Sequence, residues 1–426
     1  MLKKLWNYGR EDSLVRDSFL LFLTTSIANF GAFLFHFFMG RFLGPADYGT
    51  LGSLLTILYI INVPINVIQT AITKFVSQFK TLKEEDKINV LLRKSFRKFS
   101  FIGFIAMILL VIISPVIAKF LHISTMNLII ISPVILFAVL LPIIRGNLQG
   151  LQKFRLLGLN LILEVLFKFG LGVLLVYLGY RINGALLAIV ISFIFPTFLG
   201  LLSIKQYLKK KIVTSFETKK IYKYSYPLLI SLTLMSFLFT VDVILVKHFF
   251  DETAAGLYVS AAIIGKVIFF GTFAISQVMF PKTVERHSLN KPSKNILKRS
   301  LILMSIIAVP ACIIYFLFPE IITLILFGKN YLGITNMLGL FGIAMSLFSF
   351  SYVLVLYNLS LEKTNLIYIL TFAVILETLL IYFMHSSLIQ VLSIVTIIMA
   401  LVFLFLLLYT KRDYSLHEGN TFIDVN

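Results

Sequence analysis

Long apolar stretches alternate with short polar gaps along the whole chain. Twelve of them reach the roughly 20 residues that a helix needs to cross about 30 Å of hydrocarbon. They fall at 18–40, 50–72, 99–118, 126–148, 158–177 and 183–203, then at 224–247, 256–280, 300–318, 332–357, 365–384 and 389–409. Numbered as spans 1 to 12, they predict an all-α polytopic membrane protein. The longest polar gaps are 73–98, 204–223 and 281–299, and the middle one separates six spans from six. The expected organisation is a surface segment at 1–17, a first lobe at 18–203, a basic linker at 204–223, a second lobe at 224–409 and a tail at 410–426.

The two lobes read as copies. Gly44-Pro45-Ala46-Asp47-Tyr48-Gly49 after span 1 faces Asp251-Glu252-Thr253-Ala254-Ala255-Gly256 after span 7. Asn147-Leu148-Gln149 after span 4 faces Asn358-Leu359-Ser360 after span 10. Leu159-Asn160-Leu161-Ile162-Leu163-Glu164 in span 5 recurs as Phe372-Ala373-Val374-Ile375-Leu376-Glu377 in span 11, and the three matches keep their order. Because six is even, the copies share one orientation, which is a parallel repeat. Two pseudo-symmetric six-helix lobes around a central cavity form an architecture for moving something across a bilayer.

Charge orients this frame. Of 38 Lys and Arg residues, 30 lie in alternate gaps and 5 (Arg41, Lys119, Arg181, Lys247 and Lys329) in the others. By the excess of basic residues on the cytoplasmic side, both termini are expected inside a multi-pass protein of the cell membrane. The net charge of +19 is spread over short loops rather than one face, so anionic lipid headgroups fit it better than nucleic acid. Residues 1–17 carry Lys3, Lys4, Arg10 and Arg16 and read as a surface helix, since the following apolar run is too long for a cleaved leader. A single cysteine, Cys312, permits neither an intrachain disulfide nor a cysteine metal cluster.

The remaining cations, Arg145, Lys168 and Lys266, lie inside apolar stretches where charge is expensive. Glu164 and Lys168 share a face at i, i+4, and Arg145 enters at similar depth from span 4. This cluster is either a fixed ionic lock between spans 4 and 5 or a cationic surplus for an anionic group. Asp242 and Lys266 lie roughly 9 Å and 15 Å from the outer surface at 1.5 Å per residue, and are placed to pair across the hairpin of spans 7 and 8. Glu377 has no basic partner in its own span; it is either protonated and hydrogen-bonded or part of an ion-coupling site. Pro64, Pro115, Pro133, Pro142 and Pro196 interrupt spans, as packing features or as hinges.

No His-Glu-x-x-His, Gly-x-x-x-x-Gly-Lys-Ser/Thr or Gly-x-Ser-x-Gly motif occurs, so no enzyme is indicated and no ATP hydrolysis by this chain. A glycan polymerase or ligase would usually need a sizeable outer loop, and none here exceeds about fifteen residues. No cofactor is called for. Transport would draw on the membrane potential, a substrate gradient, or a Na⁺ or H⁺ gradient.

Gly40-Arg41-Phe42-Leu43-Gly44-Pro45-Ala46-Asp47-Tyr48-Gly49-Thr50-Leu51 resembles the opening hairpin of the polysaccharide-biosynthesis transporters. These are the O-antigen and oligosaccharide flippases of the multidrug/oligosaccharidyl-lipid/polysaccharide exporter superfamily. Arg145-Gly146-Asn147-Leu148-Gln149-Gly150-Leu151-Gln152-Lys153-Phe154 resembles that family's segment after span 4, Glu164 with Lys168 its charged fifth span, and Pro319-Glu320 through Phe327-Gly328-Lys329 the short segment before span 10. The resemblance covers nearly the whole chain. It implies a cationic cavity for the pyrophosphate-sugar head of a polyprenyl-linked oligosaccharide, with the tail left in the bilayer. It makes Arg41, Arg145, Lys168 and Lys266 headgroup contacts, and Glu164, Asp242 and Glu377 charge-balancing or ion-coupling groups. Membrane lipids and a glycan polymerase or glycosyltransferases are the implied partners. The alternative within the superfamily is a cation-coupled multidrug exporter. Twelve spans, against the fourteen typical of the lipid II flippase branch, disfavour a peptidoglycan precursor as cargo.

Overall fold

Every one of the twelve apolar stretches is helical in a computed structural model, which describes residues 13–209, 219–289 and 291–420. Most of the expected N-terminal surface segment, the middle of the basic linker and the end of the tail lie outside the described residues. Among the described residues ten helical segments are long and apolar enough to cross a membrane, and two of these, Leu23–Ile61 and Phe154–Lys205, turn back within their length.

The first of these two turns at Gly44. The helix Ser13–Thr81 is non-helical there, with φ 73° and ψ 173°. Glycine accepts that positive φ without a Cβ clash, and Pro45 then starts the next helix with its φ already set. The chain does reverse at this turn: His36 Nδ1 and Tyr48 Oη share a hydrogen bond of 3.1 Å, whereas twelve residues of unbroken helix would separate them by about 18 Å. The second turns at Gly179 (φ 90°) and Arg181 (φ 46°). Antiparallel contacts descend from that turn. A Cβ on Gly184 would touch Leu175, one on Gly172 lies near Ala188, and Asn160 Nδ2 donates to the Pro196 carbonyl at 2.7 Å.

The chain forms two compact units, Met1–Ser225 and Tyr226–Asn426. Within the first, span 4 (Thr125–Gly150) is central, with 72% of its apolar window buried, and span 3 (Glu85–Leu121) is peripheral at 17%. Within the second, the helix ending in span 10 (Lys329–Ser360) is 67% buried and span 9 (Lys294–Leu317) 22%. The fourth helix of each unit is thus central and the third peripheral.

Small residues set the close contacts. Gly146 and Gly150, one turn apart, place span 4 against span 2 so tightly that a Cβ on either would lie 2.7 or 2.8 Å from the carbonyl oxygen of Gln69 or Thr73. Thr73 Oγ1 bonds to the Gly146 carbonyl at 3.3 Å, and Gln69 Nε2 to Gln149 Oε1 at 3.2 Å. In the second unit Gly265 of span 8 meets Phe341 of span 10 at similarly short range. Span 1 lies parallel to span 5, with Gly158 against Thr24, Gly31 against Val165, and Phe38 beside Phe169.

Three departures from regular helix bear on the buried charges. Span 5 contains two π-helical segments, Phe167–Leu171 and Val176–Tyr180. Span 7 is broken at Phe239 and Thr240, so that Val241–Phe249 is a separate half-helix. The short segment before span 10 is a helix over Pro319–Leu326, closed by Gly328 at φ 93° and a 3₁₀ turn over Lys329–Ile334.

Candidate functional site

In the first unit the charges meet on spans 4, 5 and 6. Arg145 donates Nη2 to Glu164 Oε2 at 2.5 Å and Nε to Asn160 Oδ1 at 2.8 Å. Asn160 and Glu164 stand at i, i+4 on one face of the regular helix Phe154–Leu166, which is why one guanidinium reaches both. The Asn160 amide then reaches the Pro196 carbonyl in span 6. Three helices are thereby joined through one planar cation with donors to spare. The ion pair is incompletely covered, with side-chain exposures of 13% for Arg145 and 26% for Glu164.

Lys168 does not join that cluster as its spacing from Glu164 predicts. Among the described residues no ion pair links the two, and Lys168 Nζ sits 4.7 Å from the centre of the Phe35 ring in span 1. Lys168 lies in a π-helical segment that begins at Phe167, where the bonding widens from i→i+4 to i→i+5, and Glu164 acts on it through charge without a contact. A cation over an aromatic face is attracted by the ring quadrupole, without a direct ion pair. Arg41 is separate from both, exposed at the far end of span 1, its guanidinium 4.5 Å over Phe37.

In the second unit the break in span 7 places Asp242 in the first turn of Val241–Phe249, where peptide dipoles favour negative charge. Asp242 Oδ2 accepts a hydrogen bond from Tyr258 Oη at 2.9 Å. Asp242 is 2% exposed, while Tyr258 and Glu377 are fully buried. Glu377, from span 11, lies close enough for its charge to act on both Asp242 and Tyr258. Asp242 Oδ1 and both Glu377 oxygens have no hydrogen-bond partner among the described residues.

The expected Asp242–Lys266 salt bridge is not formed among the described residues. The carboxylate turns to Tyr258, and Lys266 Nζ lies 4.3 Å from the centre of the Phe239 ring. Phe239 itself packs on Phe269 and Phe348, so the ammonium is backed by an aromatic wall from spans 7, 8 and 10. Lys247, placed by its sequence position in an outer loop, is instead within the half-helix and 1% exposed.

Three contributors, Tyr258, Phe35 and Phe239, have no signal in sequence alone. Asn160 has a partial one, as a polar residue inside the repeated six-residue motif.

Twelve crossings in two repeated units, with ionisable groups buried in both, define a multi-pass membrane protein built for work inside the bilayer. Residues 38–336 match the family described as polysaccharide biosynthesis protein, and the chain belongs to it. An uncharacterized membrane protein of Methanocaldococcus jannaschii, MJ1375, is 28% identical over 347 residues, covering 75% of this chain and 78% of that one. The fold is similar to the lipid II flippase MurJ in an inward closed conformation, with a TM-score of 0.73 at 15% identity over 92% of this chain and 87% of that one. It is comparably similar to a multidrug resistance MATE family transporter of the MOP superfamily in its inward-facing conformation, with a TM-score of 0.70 at 14% identity over 92% and 98%. The eukaryotic MATE transporter AtDTX14 gives 0.67 at 10% identity over 93% and 96%. The fold is shared with these three proteins.

Proposed function

We propose that this protein flips a polyprenyl-(pyro)phosphate-linked oligosaccharide across the cell membrane by alternating access, for assembly of a surface glycan. The observation that carries this reading is the state of two cations at membrane depth. Lys168 and Lys266 rest on aromatic rings, and no ion pair occupies either among the described residues. An ammonium held this way keeps its charge available to a phosphate, and the aromatic rings offer a face to sugar or isoprenoid. Arg145 adds a planar guanidinium suited to bidentate phosphate contact, at the cost of its bonds to Glu164 and Asn160. Arg41 would meet the headgroup at the other end of span 1. Both termini and the basic loops would face the cytoplasm.

Asp242 and Glu377 fit an ion-coupling role. Three buried carboxylate oxygens without a hydrogen-bond partner call for a proton or a cation, so Na⁺ or H⁺ would drive the cycle. The same pair supports the alternative of a cation-coupled multidrug exporter. Glycan polymerase or glycosyltransferases would be the partners of the flippase.

The test is the double variant Arg145→Gln with Lys266→Gln, scored for surface glycan and membrane abundance. The flippase reading expects glycan display to be lost at unchanged abundance. Full display would sink the site assignment, and dye efflux by the intact chain without any effect on glycan would favour the exporter.

A further inference from the structure

Spans 3 and 9 hold corresponding places at the rim of their units, and both carry the same two-part stripe on their exposed face. In span 3, Arg93, Lys94, Arg97 and Lys98 are exposed, followed at helical spacing by Phe101, Ile102, Ile105, Ile108 and Ile112. In span 9, Lys294, Lys298 and Arg299 are exposed, followed by Ile302, Leu303, Ile306 and Ile313. The step from basic to apolar falls four residues after Arg97-Lys98 and four after Lys298-Arg299. Residues four apart share a helix face, so in each case one surface turns from cationic to apolar within a turn, about 6 Å.

Span 9 adds a shape. Leu301, Ile302, Ser305, Ile306, Val309 and Pro310 line a shallow groove of about 590 Å³. Its one hydroxyl, Ser305, is already satisfied by the Leu301 carbonyl at 2.9 Å, so the groove asks for nothing polar. From Leu301 to Pro310 it follows the helix for about 14 Å, most of the hydrocarbon depth of one leaflet. No acidic residue occurs between Lys291 and Pro319 to neutralise the cations locally. A ligand that satisfies this surface has an anionic head, an apolar chain and one turn of helix between the two.

We infer that Lys298 and Arg299, with the groove over Leu301–Pro310, bind one anionic phospholipid of the leaflet next to the basic loops. The phosphate meets the two side chains where the helix leaves the hydrocarbon, and one acyl chain lies along the groove. This surface faces outward from its unit and shares no residue with the charged groups of spans 4, 5, 7, 8 and 11, so the inference stands apart from the flippase reading.

The experiment uses the purified full chain in detergent, with palmitoyl-oleoyl phosphatidylglycerol or phosphatidylcholine added and bound lipid counted by native mass spectrometry. Wild type is expected to retain phosphatidylglycerol in preference to phosphatidylcholine. Lys298→Gln with Arg299→Gln should release one phosphatidylglycerol per molecule, weakening it roughly thirtyfold, the equivalent of about 1 kcal/mol per cation. Lys282→Gln with Lys291→Gln removes equal charge from the same loop and should leave the count unchanged. Ile306→Trp fills the groove without touching charge and should also release one lipid. Equal retention of the two lipids by wild type, an unchanged count in the Lys298/Arg299 variant, or equal loss in the Lys282/Lys291 control overturns the site. Full retention by Ile306→Trp overturns the groove as the seat of the chain.

Discussion

Tyr258 and Asp242, sixteen residues apart in sequence and both buried, are joined by a 2.9 Å hydrogen bond across the hairpin of spans 7 and 8. The first unit also ties its opening hairpin through a tyrosine hydroxyl, between His36 and Tyr48 at 3.1 Å, at positions offset from Asp242 and Tyr258 in the repeat. Each opening hairpin is thus closed by a tyrosine, on an imidazole in the first unit and on a carboxylate in the second.

Removing the tyrosine hydroxyl should expose what that bond contributes. Tyr258→Phe removes the side-chain donor to Asp242 Oδ2 and should destabilise the protein by about 1–2 kcal/mol, within the range for buried and interhelical bonds. Thermal unfolding in detergent measures it. A cycle with Asp242→Asn isolates the pair, and additive effects of the two substitutions would show that the bond carries no coupling.

Arg145→Lys should fail as a conservative change. A lysine keeps the charge but cannot hold Asn160 and Glu164 together through one planar fork. Glycan display should fall at least tenfold, and Asn160→Ala should fall with it. A Lys variant with full display would show that charge alone suffices at that position.

Glycine positions should divide by what faces them. Gly146→Ala and Gly150→Ala drive a Cβ into backbone carbonyl oxygens of span 2, which cannot swing aside, and should each lower stability by about 1–3 kcal/mol. A methyl group on Gly170 would meet nothing within 4 Å, so Gly170→Ala should change stability by no more than about 0.5 kcal/mol. Melting curves of the three variants side by side decide the matter.

The turn between spans 5 and 6 offers a backbone test. Arg181 holds φ 46° and is paired with Asp47 through a largely exposed contact of 2.9 Å. Exposed pairs contribute little, whereas the positive-φ conformation of Arg181, with ψ −134°, belongs almost only to glycine and costs another residue about 1–3 kcal/mol. Arg181→Gly should therefore be neutral or stabilising, and Gly179→Ala destabilising. The opposite order in thermal unfolding would assign the turn's stability to the Asp47 contact.

The helices and their repeat are legible in the sequence because hydrocarbon imposes its own length on every crossing, and because Gly44-Pro45 can hardly be anything but a turn. The Arg145–Glu164 contact is legible too, as two opposite charges at one depth in neighbouring spans. Lys168 and Lys266 are legible as unusual but not in their partners. Spacing arguments assume an unbroken α-helix, and span 5 changes pitch at Phe167 while span 7 breaks at Phe239. Lys247 departs from expectation for the same reason: the half-helix carries it inward from the place of a loop. Tyr258 and the aromatic rings are invisible in the sequence because nothing distinguishes them from the many others of their kind until the chain is folded.

The π-helical segments of span 5 have a consequence for the duplication itself. Each wide turn accommodates the equivalent of one surplus residue, worth about 100° of rotation, so the halves of the helix on either side present different azimuths. Span 5 meets span 1 on both sides of the first wide turn, through Gly158 at Thr24 and Val165 at Gly31 before it and Gly172 at Phe35 after it, while Asn160 and Glu164 address spans 4 and 6. Span 11, its counterpart, runs as uninterrupted α-helix over Leu366–Phe383 and buries Glu377. The residues that follow Glu164 therefore leave its helix at a phase that those following Glu377 do not share, and the two carboxylates stand on helices of different regularity.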